Sequence, residues 1–295
     1  QLDAIHKHQA LLELGEDYLS AGVLDRAEKI FLELSEHDKQ DGRSLTLLLQ
    51  IYHQEKEWHK AIKIAQRLAA FSGQSYLLHI AQYYCELCEV MMSKKQTVEA
   101  DLFLKKAKSI DRHCVRAHLL HAETAMSMSD YDQAITSYER VMLEDSSFVT
   151  EILDSLAVCY EKKQQYPSFV RYLEAVFAVN PLVDIAYYLA KEMRKQHGLQ
   201  TAIDFLENYV ATYASLSTLK PLIKMYADSS PTPDAQKLLK LERHMDLILA
   251  EKPVYCCLQC GFSGKTLYWL CPSCQTWSST KPIRSTDVLS REKKL

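Results

Sequence analysis

The stretch Leu11-Leu12-Glu13-Leu14-Gly15-Glu16-Asp17-Tyr18, followed after a short gap by Ala27-Glu28-Lys29-Ile30-Phe31, decides how the rest of the chain is read. Leu11, Leu14, Gly15 and Tyr18 fall on one face of a helix, and Ala27 and Phe31 fall on one face of a second. With His8 taken as the first position of a unit, the same spacing recurs from residues 42, 81, 115, 150, 183 and 216, at steps of 34, 39, 34, 35, 33 and 33. Position 20 of that register then holds Ala27, Ala61, Ala100, Ala134, Phe169, Ala202 and Ala235. Six alanines in seven units mark an internal repeat. Position 24 holds Phe31, Ala65, Leu104, Tyr138, Leu173, Leu206 and Leu239, and position 11 holds Tyr18, Tyr52, Met91, Ala125, Tyr160, Met193 and Tyr226.

A helix–turn–helix unit of about 34 residues with these residue types is the tetratricopeptide repeat. The methyl group at position 20 lets the second helix cross close to the first, and positions 11 and 24 fill the space beside the crossing. A single helix pair cannot bury its own apolar face, so neighbours stack into a superhelix with a long concave surface. The sequence therefore predicts an all-α tetratricopeptide-repeat superhelix of about seven helix pairs over residues 1–250. Phe169 breaks the small-residue rule, so the fifth crossing is expected to open or shift. The five extra residues before the third unit, around Ser72-Gly73-Gln74-Ser75, are expected to form a longer loop, and Thr232 with Pro233 is expected to start the last helix.

Composition supports a helical body with a different C-terminal end. Only 7 Gly and 8 Pro occur in 295 residues, about 5% against about 12% in average proteins, and seven of the 15 lie from Pro231 onward. The net charge is −3, with a local +4 from Pro253 to the end, so the global electrostatic footprint of a nucleic-acid binder is missing. No apolar run is long enough to span a membrane. The chain starts without Met, already in a helical pattern, and reads as a piece of something longer.

The clearest chemistry lies in residues 255–277, Tyr-Cys-Cys-Leu-Gln-Cys-Gly-Phe-Ser-Gly-Lys-Thr-Leu-Tyr-Trp-Leu-Cys-Pro-Ser-Cys-Gln-Thr-Trp. Two C-x-x-C pairs, Cys257/Cys260 and Cys271/Cys274, can each form a knuckle that points both sulfurs inward, with Gly261 and Pro272 at the tight turns. Four thiolates in a tetrahedron suit Zn²⁺ or a single iron, with zinc favoured, and leave no open position for hydrolysis. The expected module covers residues 251–284, with 285–295 a flexible tail. Cys256 has the wrong spacing to join the set. Tyr255, Trp269 and Trp277 are expected to cover the knuckles or dock the module onto the repeats. Cys85-x-x-Cys88 copies a ligand spacing but sits in the first helix of the third repeat with no second pair nearby, so it reads as packing, a thiol function being the lesser alternative. Cys114 and Cys159 also read as buried apolar residues. His118 and His121 lie one helical turn apart, yet no carboxylate–His–nucleophile set can be assembled, and enzyme activity has no positive support.

Together, Asp17-Tyr18-x-x-Ala21-Gly22-x-x-Asp25-Arg26-Ala27-Glu28, the repeat array, and Pro253-x-Tyr255-x-Cys257-x-x-Cys260-Gly261-Phe262 through Trp269-x-Cys271-Pro272-Ser273-Cys274, Trp277-Ser278 and Lys281-Pro282-Ile283-Arg284 resemble the lipopolysaccharide assembly protein B family over essentially the whole chain. The resemblance implies a protein at the cytoplasmic face of the bacterial inner membrane, held by a short N-terminal helix absent here, with a rubredoxin-like metal module packed on its repeats. It implies an adaptor that helps the FtsH protease degrade the LpxC deacetylase and so restrains lipopolysaccharide synthesis. One departure is Gln275, where rubredoxins usually have Gly after the second knuckle; with the short spacer it puts electron transfer in doubt more than metal binding. Partner contacts would fall to polar inner-helix positions such as Gln50, His53, Glu123, Lys191 and Arg194. A homodimer is left open. The competing readings are an iron-holding redox or iron-sensing module and a zinc-ribbon nucleic-acid binder.

Overall fold

A computed structural model describes residues 2–37, 41–72, 76–229 and 233–283. These form fourteen α-helices: α1 (Leu2–Ser20), α2 (Leu24–His37), α3 (Gly42–Gln54), α4 (Trp58–Ser72), α5 (Leu77–Ser93), α6 (Thr97–Ile110), α7 (Val115–Ser127), α8 (Tyr131–Glu144), α9 (Val149–Lys162), α10 (Tyr166–Val179), α11 (Val183–His197), α12 (Leu199–Thr212), α13 (Leu216–Ser229) and α14 (Pro233–Glu251). A 3₁₀ turn (Ser146–Phe148) precedes α9, and three short strands follow α14: β1 (Tyr255–Cys257), β2 (Ser263–Gly264) and β3 (Thr280–Pro282). The chain divides into two compact units, one up to Met128 and the other from Ser129 onward. Within each unit consecutive helices pack on one another, and first helices of successive pairs also touch, α5 with α7 in the first unit and α9 with α11 and α11 with α13 in the second. This is the tetratricopeptide fold.

The turns inside the helix pairs reproduce the sequence register independently of the alanines. Gly22, Lys56, Lys95, Ser129 and Gln164 have φ between 57° and 73°, and each occupies position 15 of its unit. Four of these turns close with one hydrogen-bond pattern: the amides of Val23, Glu57, Gln96 and Gln165 donate to the carbonyls of Tyr18, Tyr52, Met91 and Tyr160 at 2.8–2.9 Å. That six-to-one bond is the Schellman closure of a helix C-terminus. The large residue at position 11 thus fills the core and also accepts the bond that ends its helix. Only the first of the five turns uses glycine; the others hold an L side chain in a left-handed backbone, at a cost of about 1 kcal/mol.

The crossings are packed as the register requires. For the pairs that lie within one unit, Ala27, Ala61, Ala100 and Ala202 are fully buried, and Ala235 nearly so. In the first pair a Cβ on Gly15 would stand 2.5 Å from the Phe31 ring, which explains the glycine before Tyr18. Phe169 is also fully buried, but it sits among Tyr160, Tyr166 and Tyr188, whose ring centroids lie 5.5, 5.6 and 6.0 Å away. Here α9 and α10 meet along far fewer residues than α11 and α12 do. A phenyl ring at the crossing holds the backbones apart, and an aromatic cluster fills the gap.

Elsewhere the expectations need adjustment. The extra residues before the third unit lengthen α5, which starts at Leu77, four residues ahead of the register start at 81. Gly73, Gln74, Ser75, Thr232 and the tail 285–295 lie outside the described residues. One tie was not anticipated. Arg116, almost wholly buried at the start of α7, donates to Glu86 and Glu89 of α5 at 2.8 Å each and to Gln82 at 3.2 Å.

Two substitutions test this account. Gln164→Gly removes the left-handed strain at an exposed turn and is expected to stabilise the second unit by about 0.5–1 kcal/mol, seen as a higher denaturation midpoint with an unchanged m-value. Phe169→Ala empties the aromatic cluster and is expected to cost about 3–5 kcal/mol; a cost near that of an exposed substitution would mean the fifth crossing closes without it.

Candidate metal centre

The module after α14 is a three-stranded antiparallel sheet with strand order β2-β1-β3. Tyr255 pairs with Gly264 and Pro282, and Cys256 with Ser263 and Lys281. Alternation along β1 sends Cys256 and Cys257 to opposite faces, so the adjacent cysteines part company. Cys256 is buried, with its Sγ 3.6 Å from the Cys257 carbonyl.

Cys257, Cys260, Cys271 and Cys274 gather with all four sulfurs within 4.8 Å of one another. The Cys257–Cys274 and Cys260–Cys271 sulfur pairs are each 3.7 Å apart. A tetrahedron with metal–sulfur bonds of about 2.3 Å has edges of about 3.8 Å, so the thiols already stand at the spacing a Cys₄ ion needs. The two knuckles have matching backbones. The amides of Gly261 and Gln275 donate to the carbonyls of Cys257 and Cys271, both at 2.9 Å, and those of Cys257 and Cys271 donate to Phe262 and Thr276. Gly261 has φ 79° and Gln275 φ 54°. Glutamine therefore adopts the conformation that glycine takes in the first knuckle, steadied by its own Nε2 donating to the Pro272 carbonyl at 3.1 Å.

The electrostatics favour thiolate in part of the cluster. Burial pushes the Cys257 thiol up, but Ser279 at 3.2 Å and the amides of Cys260 and Gln259 outweigh it and lower the thiol to about 6. At Cys274 the Thr276 hydroxyl lowers the thiol despite burial. Burial drives Cys271 to about 11, against hydrogen bonds from the amides of Cys274 and Ser273. Backbone N–H groups thus aim at Cys257 in the first knuckle and at both Cys271 and Cys274 in the second, the outer-shell support that a metal–thiolate centre requires. Ser279 and Thr276 complete that shell. Neither carries a ligand spacing, so no sequence motif marks them.

The module is seated on the α8–α9 junction of the second unit. Trp269 stacks on Phe148 with ring centroids 5.5 Å apart and planes 9° from parallel. The Tyr255 hydroxyl donates to the Glu151 carboxylate. Lys281 reaches Asp145 at 2.9 Å while its ammonium lies 5.2 Å over the Phe148 ring. Trp277 is buried within the module, bridged to Leu270. The sequence offered no cue to Asp145, Phe148 or Glu151, because their role is set by what returns from more than a hundred residues away.

The other cysteines have a different setting. Cys85, Cys88 and Cys114 are buried in one apolar cluster of the first unit. Burial raises the Cys85 thiol well above its ordinary value and Cys88 to about 12, which favours the protonated form of both. Gln50, His53 and Glu123 fall in the first unit, and Lys191 and Arg194 in the second. Gln50 and Glu123 are exposed. His53 is instead half-buried between Trp58 and Tyr83, its ring centroid 5.7 and 6.1 Å from theirs, and burial lowers its pKa. Lys191 lies 4.3 Å over the Tyr187 ring, and Arg194 pairs with Asp228. His121 is held against Asp101, and burial lowers it to about 4; His118 Nε2 meets the Arg112 carbonyl.

Residues 255–282 match the family profile of a rubredoxin metal binding domain, the zinc ribbon of the LapB proteins. Over 283 residues, 95% of this chain and 72% of the relative, the sequence is 32% identical to lipopolysaccharide assembly protein B of Escherichia coli (strain K12). The chain belongs to the lipopolysaccharide assembly protein B family. The Haemophilus influenzae protein of that name is 30% identical over 276 residues, 93% of this chain and 69% of that one. Similar solved structures include the MamA protein, at 17% identity and a TM-score of 0.38 over 64% of this chain and 94% of that one. Another is YrrB, a tetratricopeptide protein, at 15% identity and a TM-score of 0.37 over 61% of this chain and 92% of that one. Among the described residues, no helix is long and apolar enough to cross a membrane.

In so small a sheet, a bound ion is expected to supply much of the folding free energy. Purified protein is expected to carry one zinc or iron per chain, with zinc favoured. Cys271→Ser should lose the ion, lower the thermal midpoint of the second unit and red-shift Trp269 fluorescence as the ring leaves Phe148. Unchanged metal content and midpoint would contradict the centre.

Proposed function

We propose that this chain is a non-enzymatic adaptor in the control of lipopolysaccharide synthesis, acting at the cytoplasmic face of the bacterial inner membrane. In this reading it presents the LpxC deacetylase to the membrane protease FtsH through contacts made by the repeats and the metal module. Cys257, Cys260, Cys271 and Cys274 hold a single ion that fixes the module's fold; four protein thiolates leave that ion no position for substrate, so its part is structural. The repeats supply the docking faces, with Gln50, Glu123, Lys191 and Arg194 the exposed candidates.

The observation that carries this reading is family membership over nearly the whole chain. It is supported by a module tied to the repeats through a stacked aromatic pair, an ion pair and a tyrosine–carboxylate bond. Such a seat suits a brace that keeps the repeats in a partner-ready form.

Immobilised, metal-loaded chain is expected to retain purified deacetylase and the solubilised protease, and Cys271→Ser to retain several-fold less of both. In cells, extra copies of the anchored protein should lower deacetylase abundance only while the protease is active. Retention of neither partner by the wild-type chain would sink the proposal.

A further inference from the structure

The second unit contains a cavity of about 620 Å³ that none of the roles above uses. The starts of three first helices, α9, α11 and α13, line it from the repeat side, and Val254, Pro282 and Ile283 of the metal module line the facing side. Its volume lies within the range of about 300–1,000 Å³ typical of ligand sites. We propose that this cavity docks an extended segment of a partner protein that carries an aliphatic side chain next to a lysine or arginine.

The lining specifies that chemistry. Val254, Pro282 and Ile283 line the space together with Val149 and Val183, a setting that takes an aliphatic side chain and removes it from water. Among the described residues that line the cavity, Asp184 is the one that carries a charge. Its carboxylate accepts from Thr150 Oγ1 at 3.2 Å and has no ion-pair partner among the described residues. Burial raises its pKa, opposed by the Thr150 bond. A carboxylate in that position is relieved by a cation and repels phosphate or a second carboxylate; a purely apolar guest would bury it further without compensation.

Backbone groups of the guest also find partners. The start of α13 is closed by reciprocal bonds, the Ser215 amide donating to Thr218 Oγ1 at 2.8 Å and the Thr218 amide to Ser215 Oγ at 3.1 Å. The start of α11 has no side-chain cap; the Asp184 amide is met by its own carboxylate, and the other first-turn amides have no side-chain partner to displace. The Ser217 hydroxyl on the cavity wall is available as well. An extended polypeptide supplies the alternating carbonyls and amides that such a wall can pair.

The site is composite, because one wall exists only when the module is seated. The inference rests on the proposed function only in that the ion folds the module. It is tested on the full, metal-loaded chain by fluorescence anisotropy with labelled hexapeptide pools. Leu is fixed at the third position, Lys, Glu or norleucine at the fourth, and the other positions are randomised. The Lys pool is expected to bind at least tenfold more tightly than the Glu and norleucine pools. Asp184→Asn, which keeps the shape and the Thr150 contact, should weaken the Lys pool and tighten the norleucine pool, so that the two converge. Ser217→Trp, checked for an unchanged thermal midpoint, should obstruct the cavity and weaken binding of all three at least tenfold. Equal binding of the pools, no saturable binding, or binding that Ser217→Trp weakens less than tenfold would overturn the inference. Any of these with deacetylase retention intact removes the cavity site and leaves the adaptor reading standing.

Discussion

A tetratricopeptide hairpin has apolar residues on two sides and can cover only one of them by folding on itself. Everything else in this chain answers to that constraint. The close crossing permitted by Ala27, Ala61, Ala100 and Ala202 buries the inner side of each pair, and the neighbouring pair buries the outer side. Where Phe169 prevents the close approach, the space is refilled with three tyrosines rather than left empty. That substitution falls in the same pair whose first helix carries Glu151, so a loosely crossed pair is also one the metal module leans on. A weakened local interface and a long-range brace occur together, which is how a chain of nearest-neighbour contacts can tolerate an irregular unit.

Much of this was legible from residue type and spacing. Alanine at position 20 reports a steric requirement, so its recurrence gave the helix pairs directly. The four ligand cysteines were equally legible, because a metal knuckle requires fixed spacing in sequence. Contacts that depend on which surfaces meet were not. Nothing in Asp145 or Phe148 announces that Lys281 and Trp269 will settle there, and nothing in Asp184 announces that it will line one cavity with Val254 and Ile283. The early start of α5 at Leu77 was not legible, because an insertion of about one helical turn can extend a helix without disturbing its register. Gln275 and the lysine, serine and glutamine turns share a further limit: left-handed backbone is written plainly in sequence only when glycine occupies it.

The nine cysteines also separate by environment rather than by motif. Cys85 and Cys88 have the ligand spacing but lie on a helix, where residues three apart share one packed face, and burial keeps their protons on. Cys257 and Cys260 have the same spacing in a turn, where amides reach one of the sulfurs. The same four-residue pattern is thus a core element in one backbone and half of a metal centre in another.

The bond between Tyr255 and Glu151 joins residues 104 apart in sequence, whereas the contacts of a stacked repeat are otherwise nearly all local. Helix pairs can therefore form in order as the chain emerges, but Phe148 stays uncovered until more than a hundred further residues have been made. Closing that loop carries an entropic cost that no helix-to-helix step does. The seat of the metal-bearing strands on Asp145, Phe148 and Glu151 is thus the contact of longest sequence reach described for this chain, and the one that must wait for the C-terminal residues to be made.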